Sequence, residues 1–167
     1  FYHGGGLDLA VVPMIQVDAE GNVNVTRYGR TLKGCGSFID ITQSAKTLVF
    51  LGTHTVGARL KLSDGILEVE SEGRPNRFVA SVAQISFSAE HARRRGQRVL
   101  YVTERAVFEL AGEGLRLIEL APGVDLQTHV LDMMAFTPAI PSRDNVPTMD
   151  QRLFLEEIMQ MTEEGRS

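Results

Sequence analysis

The hydrophobic positions of the chain fall into short blocks separated by glycine, proline and acidic turns, and the spacing inside each block indicates its element. Leu7-Asp8-Leu9-Ala10-Val11-Val12-Pro13-Met14-Ile15-Gln16-Val17 is mostly apolar and lies between Gly4-Gly5-Gly6 and Asp18-Ala19-Glu20-Gly21-Asn22, which predicts a buried strand. Pro13 has no N–H to give a ladder, so the strand is expected to break near its middle. Glu20-Gly21-Asn22 turns the chain into the alternating Val23-Asn24-Val25-Thr26-Arg27-Tyr28, a hairpin-like return. Lys46-Thr47-Leu48-Val49-Phe50-Leu51-Gly52 reads as a second buried strand. From Leu60 to Ser88 the runs shorten and alternate: Arg59-Leu60-Lys61-Leu62, Ile66-Leu67-Glu68-Val69-Glu70, Phe78-Val79-Ala80 and Ile85-Ser86-Phe87-Ser88 predict an antiparallel meander. Residues 97–103, 104–110 and 115–120 supply two or three more strands. Pro122-Gly123 ends that run, and Asp125 is placed to cap a helix over Leu126 to Met133 or Met134. Pro138, Pro141 and Pro147 make residues 137–149 an extended connector, and the spacing of Leu153, Phe154, Ile158 and Met161 predicts a C-terminal helix over 150–164. Residues 1–167 are expected to form one α/β domain.

Between the first hairpin and the second strand lies Gly34-Cys35-Gly36-Ser37-Phe38-Ile39-Asp40. Ser37 with Asp40 three residues on is a capping-box variant, so a helix of about two turns should start here and end near Ser44. Glycines ahead of a helix start leave backbone amides bare, and the helix dipole adds partial positive charge. Gly34, Gly36 and Ser37 are therefore a candidate oxyanion or acyl-group site, with a plain tight turn as the alternative.

Composition narrows the classes. The 167 residues are 43% hydrophobic, enough for one domain with a sizeable core. A net charge of -4 argues against a nucleic-acid partner. The one basic cluster, Arg93-Arg94-Arg95, reads as a solvated loop ahead of Gly96. A single cysteine, Cys35, allows neither an internal disulfide nor a thiolate metal cage and points to a reducing compartment, with cytoplasm the natural assignment. His3, His54, His91 and His129 share no metal-ligand spacing, so no metal and no bound cofactor are expected. No apolar run reaches the length of a membrane span, and no signal peptide is recognisable. Glu104-Arg105 inside an apolar run is expected to be a buried or interface ion pair. Phe1 and Tyr2, two aromatics without an initiator methionine, suggest a truncated or cleaved chain.

Five ordered segments carry a resemblance: Gly4-Gly5-Gly6-Leu7-Asp8-Leu9-Ala10, residues 18–25 (Asp-Ala-Glu-Gly-Asn-Val-Asn-Val), Gly34 to Asp40, Val102-Thr103-Glu104-Arg105-Ala106-Val107-Phe108, and Ala121-Pro122-Gly123-Val124-Asp125-Leu126. Together they resemble the C-terminal, β-subunit-like part of family I coenzyme A transferases, closest to the acetate or short-chain acyl-CoA:acetate/3-ketoacid type. The resemblance implies an open α/β sheet of the CoA-transferase superfamily, shared with sugar-phosphate isomerase relatives, with the meander added. It implies a glutamate that attacks the acyl-CoA thioester and forms a glutamyl-CoA intermediate before CoA passes to an acceptor acid such as acetate. That glutamate belongs to a motif upstream of Gly4, so this chain alone is expected to be inactive. Its partners would be acyl-CoA, a carboxylic acid and the first half of the enzyme, in an oligomer. An apolar face that the first half covers should be left open, favouring self-association. The family's thioester-holding amide matches Ser37, where glycine is usual. Gly4, Gly5, Gly6, Pro13, Met14 and Phe38 are candidate pocket lining, and Pro13 again replaces a usual glycine. An acyl-CoA hydrolase on the same fold and a non-catalytic CoA- or partner-binding half remain alternatives.

Overall fold

A computed structural model describes residues 7–155. Its frame is a five-stranded sheet: β1 (Leu7–Pro13), β6 (Ala45–Leu51), β9 (Arg98–Val102), β10 (Ala106–Ala111) and β11 (Gly114–Leu120), in that spatial order. β1, β6 and β9 run parallel, β10 returns antiparallel to β9, and β11 reverses again antiparallel to β10. The open α/β sheet expected from the sequence is present. The β1-to-β6 connection carries the two-residue strands β2 (Gln16–Val17), β3 (Val23–Asn24), β4 (Arg27–Tyr28) and β5 (Thr31–Leu32), then helix α1 (Phe38–Ser44). The β6-to-β9 connection carries the hairpin β7 (Arg59–Ser63) with β8 (Ile66–Ser71), then helix α2 (Ala89–Arg94).

Alternation along the strands decides which side is core. Val12, Phe50 and Tyr101 stand in one row across β1, β6 and β9, and all are buried. Phe38 of α1 packs on Phe50 at 6.1 Å between ring centroids, while Phe87 and Tyr101 flank the same ring at 5.0 and 5.4 Å. The neighbouring row on the other face, Val11, Val49 and Leu100, is only partly covered, and Leu9, Val11 and Leu51 are 56, 54 and 45% exposed. The first strand is thus buried on one face only.

The break expected at Pro13 is present, dividing residues 7–17 into β1 and β2; β1 is the edge of the described sheet, where a missing N–H is tolerated, and Met14 N still donates to Leu51 O at 3.0 Å. Several expectations change. The meander reduces to the β7–β8 hairpin. Phe78 and Phe87 make only isolated bridges to Val17 and Val23, because β2 and β3 are two residues long and offer no ladder to extend. Arg93 and Arg94 lie in α2, not in a solvated loop: Arg93 reaches Ala111 O at 2.7 Å and Glu20 O at 2.5 Å, and Arg95 reaches Gln43 O at 2.5 Å. The helix after Asp125 forms with its cap, Thr128 N donating to Asp125 Oδ1 at 2.7 Å, but as a π turn over Leu126–Val130 and a 3-10 turn over Leu131–Met133. The connector is not irregular throughout, since Leu117 and Leu120 donate to Ala139 O and Pro147 O at 2.9 Å and so cover the free edge of β11. Asp150 caps a 3-10 turn over Gln151–Phe154 where an α-helix was expected, and residues 156–164 of that helix lie outside the described residues.

Candidate functional site

Asn24 shapes the approach to the site. Its buried side chain donates to Gln16 Oε1 at 2.8 Å and Arg27 O at 2.6 Å, and accepts from Thr26 N at 3.1 Å and Arg27 N at 2.9 Å. With every polar atom used, it fixes the bend that sends β4 and β5 outward as a small hairpin. Lys33 N closes that hairpin on Thr26 O at 2.7 Å. Antiparallel pairing then puts Thr26, Thr31 and Lys33 on one face and Arg27 and Leu32 on the other.

Those three residues meet Ile15, Val56 and Asn76 around a cavity of about 480 Å³ just past the carboxyl ends of β1 and β6, where open α/β sheets collect ligands. Arg77 completes the wall. Its guanidinium donates to Met14 O at 2.6 Å, Ile15 O at 2.9 Å, Thr53 O at 2.8 Å and Thr53 Oγ1 at 2.9 Å, tying the two strand ends together. None of the lining residues is an acid.

The glycine loop continues directly from Lys33. Phe38 N donates to Cys35 O at 3.0 Å, enclosing Gly36 at φ 53° and Ser37 at φ -81°, ψ 5°. A positive φ at the first central position and a bridge-region second position make this a type II′ turn, which needs glycine at Gly36. The amides of Gly34, Gly36 and Ser37 donate to no described residue, and a Cβ built on Gly34 or Gly36 would meet nothing within 4 Å. The loop offers bare donors, as the sequence suggested, by a different device. Ser37 precedes α1 but its hydroxyl makes no capping bond, so the capping box does not form. At seven residues α1 adds little dipole, and the donors are those of the turn.

Next to Val56 in sequence, a buried polar cluster holds the loops in place. Arg105, fully buried, forms a bidentate pair with Glu72 at 2.8 Å on each arm, and also reaches Glu104 Oε1 at 3.2 Å and His129 O at 2.8 Å. The ion pair expected from Glu104-Arg105 is present, with the stronger partner supplied by Glu72. Burial would raise the Glu72 carboxyl, but bonds from Arg105, the Gly73 amide and Thr55 outweigh it and hold the group at about 2. Thr55 Oγ1 donates to Glu72 at 2.9 Å, and His54 N donates to Glu104 Oε2 at 2.9 Å, so the pair anchors residues 54–55 immediately before Val56. His54 is held neutral: burial pushes its pKa down to about 4, against the opposing bond to Val130 O at 3.1 Å.

Of the remaining site residues expected from the sequence, Pro13 is exposed at the end of β1. Met14 and Phe38 are buried and do not line this cavity: Met14 packs over Gly52, and Phe38 turns onto the sheet from the first position of α1. Gly4, Gly5 and Gly6 lie outside the described residues. Cys35 is partly buried against the core. Lys33, Thr31, Val56, Asn76 and Arg77 were not singled out in the sequence, where they sit in three separate segments with no shared spacing. Among the described residues no group of His, Cys, Asp or Glu could hold a metal ion, and no helix is long and apolar enough to cross a membrane.

No family model matches the chain. It is 46% identical over 160 residues to the acetate CoA-transferase YdiF of Escherichia coli strain K12, covering 95% of this chain and 30% of that protein. The YdiF apoenzyme from strain O157:H7 superposes with a TM-score of 0.89 over 94% of this chain and 30% of its own. The chain's relatives are family I coenzyme A transferases, and it matches a β-subunit-like part of them. The caffeate CoA-transferase of Acetobacterium woodii is 44% identical over 93% of this chain and 30% of its own length. Glutaconate coenzyme A-transferase from Acidaminococcus fermentans, 16% identical, shares the fold with a TM-score of 0.60 over 86% of this chain and 53% of its own. This CoA-transferase-like chain therefore spans about 30% of the length of the curated relatives it matches.

Proposed function

We propose that the protein containing this chain transfers CoA between a short-chain acyl-CoA and an acceptor carboxylic acid, and that this chain supplies the thioester-holding side of the site. The observation that carries the reading is the type II′ turn at Gly36-Ser37, whose undonated amides follow within four residues of Lys33, a lining residue of the cavity of about 480 Å³. Preorganised backbone donors stabilise an oxyanion as charge develops, because they need no reorganisation at the moment of reaction. A YdiF structure solved as a thioester complex with CoA, 46% identical to this chain, supports the same chemistry. The nucleophile in this reading is a carboxylate from outside the cavity's lining, attacking the thioester carbon to expel CoA thiolate. The thiolate then attacks the resulting anhydride to leave a glutamyl-CoA thioester and free acid, and the acceptor carboxylate reverses the sequence. The remainder of the enzyme is the partner that brings this group, and the isolated chain is inactive.

Ser37 provides the test. Its φ of -81° suits proline, and its amide donates to no described residue, so Ser37→Pro removes the donor without breaking a bond that holds the fold. In the complete protein, Ser37→Pro is expected to lower kcat by about 10²- to 10³-fold with an unchanged melting temperature, and Ser37→Gly to keep or raise activity. A fully active proline variant refutes the role. Product analysis separates transfer from hydrolysis: acetyl-CoA should be consumed only when a second carboxylic acid is present.

A further inference from the structure

Between β8 and α2, residues 72–88 form no helix and only isolated bridges, yet this stretch supplies Asn76 and Arg77 to the cavity wall. A segment without a ladder of its own is placed by what its side chains and a few backbone bonds reach. The first anchor stands at its start. Glu72 is paired with the fully buried Arg105 at 2.8 Å on each arm, and its Oε1 also accepts from Thr55 Oγ1 at 2.9 Å and from Gly73 N at 2.8 Å. The next residues close the join, with Val56 N donating to Arg74 O at 3.0 Å and Arg74 N donating to Val56 O at 2.9 Å. Gly73 permits so close an approach: a Cβ built there would lie 2.6 Å from Thr55 Oγ1, 2.7 Å from Ala58 N and 2.8 Å from Val56 O. Past Arg74, Arg77 carries the same chain to Met14 O, Ile15 O and Thr53 O.

Resting on the proposed transferase reading, we propose that Glu72, Thr55 and Arg105 are positioning residues, whose buried join sets Val56, Asn76 and Arg77 at the spacing that binds the substrate acid. None of the three lines the cavity, so each acts through Val56 or through the segment that follows Gly73. A bidentate pair suits this work because the planar fork fixes direction as well as distance. Arg105 also donates to Glu104 Oε1 and His129 O, so one guanidinium ties the segments that follow β6, β8 and β9 to the turn after β11. Buried ion pairs add little stability over an apolar core, whereas a wall misplaced by about 1 Å is enough to impair a site.

The test uses the complete protein, with acetyl-CoA as donor and butyrate as acceptor. Glu72→Gln keeps the side chain's size and leaves Glu104 as the counter-charge of Arg105, so no buried cation is stranded. Gly73→Ala forces the two segments apart without altering a charge. Thr55→Val removes the hydroxyl, and Thr55→Ser keeps it. Loss of folded protein lowers kcat per mole and leaves KM where it was, so KM separates positioning from stability. Glu72→Gln and Gly73→Ala are expected to raise KM for butyrate roughly 10-fold and Thr55→Val a few-fold, with Thr55→Ser within about twofold of the wild type. KM unmoved in Glu72→Gln and Gly73→Ala, or raised as much by Thr55→Ser as by Thr55→Val, overturns the proposal. If the wild type transfers no CoA, the transferase reading falls and amide hydrogen exchange decides the join. Exchange in Glu72→Gln that is roughly 10-fold faster at Val56 and Arg74, with Leu48 and Val99 in the sheet unchanged, then sustains it. Equal acceleration at all four amides, or none, overturns it.

Discussion

At the scale of residues, buried polar groups govern how the site is held. Arg105 and His54 are both fully buried, yet they solve burial differently: the arginine stays charged against Glu72, and the histidine stays neutral. His54 gives the protein a pH response whose sign follows from its pKa, lowered from 6.5 to about 4. Between those values the unfolded chain binds a proton that the folded one refuses, so stability is fully present above about pH 6.5 and falls as pH drops toward 4. Urea denaturation from pH 8 to pH 4 should register a loss of about 3 kcal/mol that His54→Phe removes, since phenylalanine keeps the packing against Phe78 and cannot titrate. A slope unchanged by His54→Phe would assign the acid sensitivity to other groups. The sequence marked Arg105 as a charge needing a partner and named the adjacent Glu104. It could not name Glu72, 33 residues away, because which carboxylate reaches a buried guanidinium is settled by the loops' path.

At the scale of elements, local signals were sound where the element is defined by its own residues. α1 ends at Ser44, and three strands follow Gly96, as the spacing of apolar residues indicates. α2 escaped notice although its marks are present: Ser88 caps it through His91 N at 3.3 Å, and basic residues fill its last turn. Its buried residues are only Ala89 and Ala92, too slight an apolar stripe to stand out. The turn after β11 packs closely on β8. Leu67 N donates to Pro122 O at 2.9 Å, and a Cβ on Gly123, at φ 85°, would lie 2.0 Å from Ile66 Cγ2 and 2.9 Å from Leu67 O. Gly123→Ala therefore meets both a left-handed backbone and a clash with β8, and is expected to cost about 2 kcal/mol or more in chemical denaturation. A loss below about 0.5 kcal/mol would show that β8 yields freely at this junction.

At the scale of the whole molecule, the described residues cover one face of the sheet and only part of the other. The row of Val11, Val49 and Leu100, with Leu9 and Leu51 beside it, is an apolar surface of the kind that marks an interface. Because relatives are more than three times as long as the matched region, we expect the rest of the protein to cover this face. Sedimentation of residues 1–167 alone should reveal concentration-dependent association that Leu9→Lys with Val11→Glu suppresses; a monomer at high concentration would count against an uncovered interface. The sequence by itself determined the strands of the main sheet, the glycine turn at Gly36-Ser37 and the family likeness, since each depends on residues close along the chain. Tertiary structure alone decided that Met14 and Phe38 belong to the core and that Lys33, Val56, Asn76 and Arg77 converge on one cavity. The reason is geometric: a strand's period fixes which residues share a face, but the crossover connections fix which faces meet.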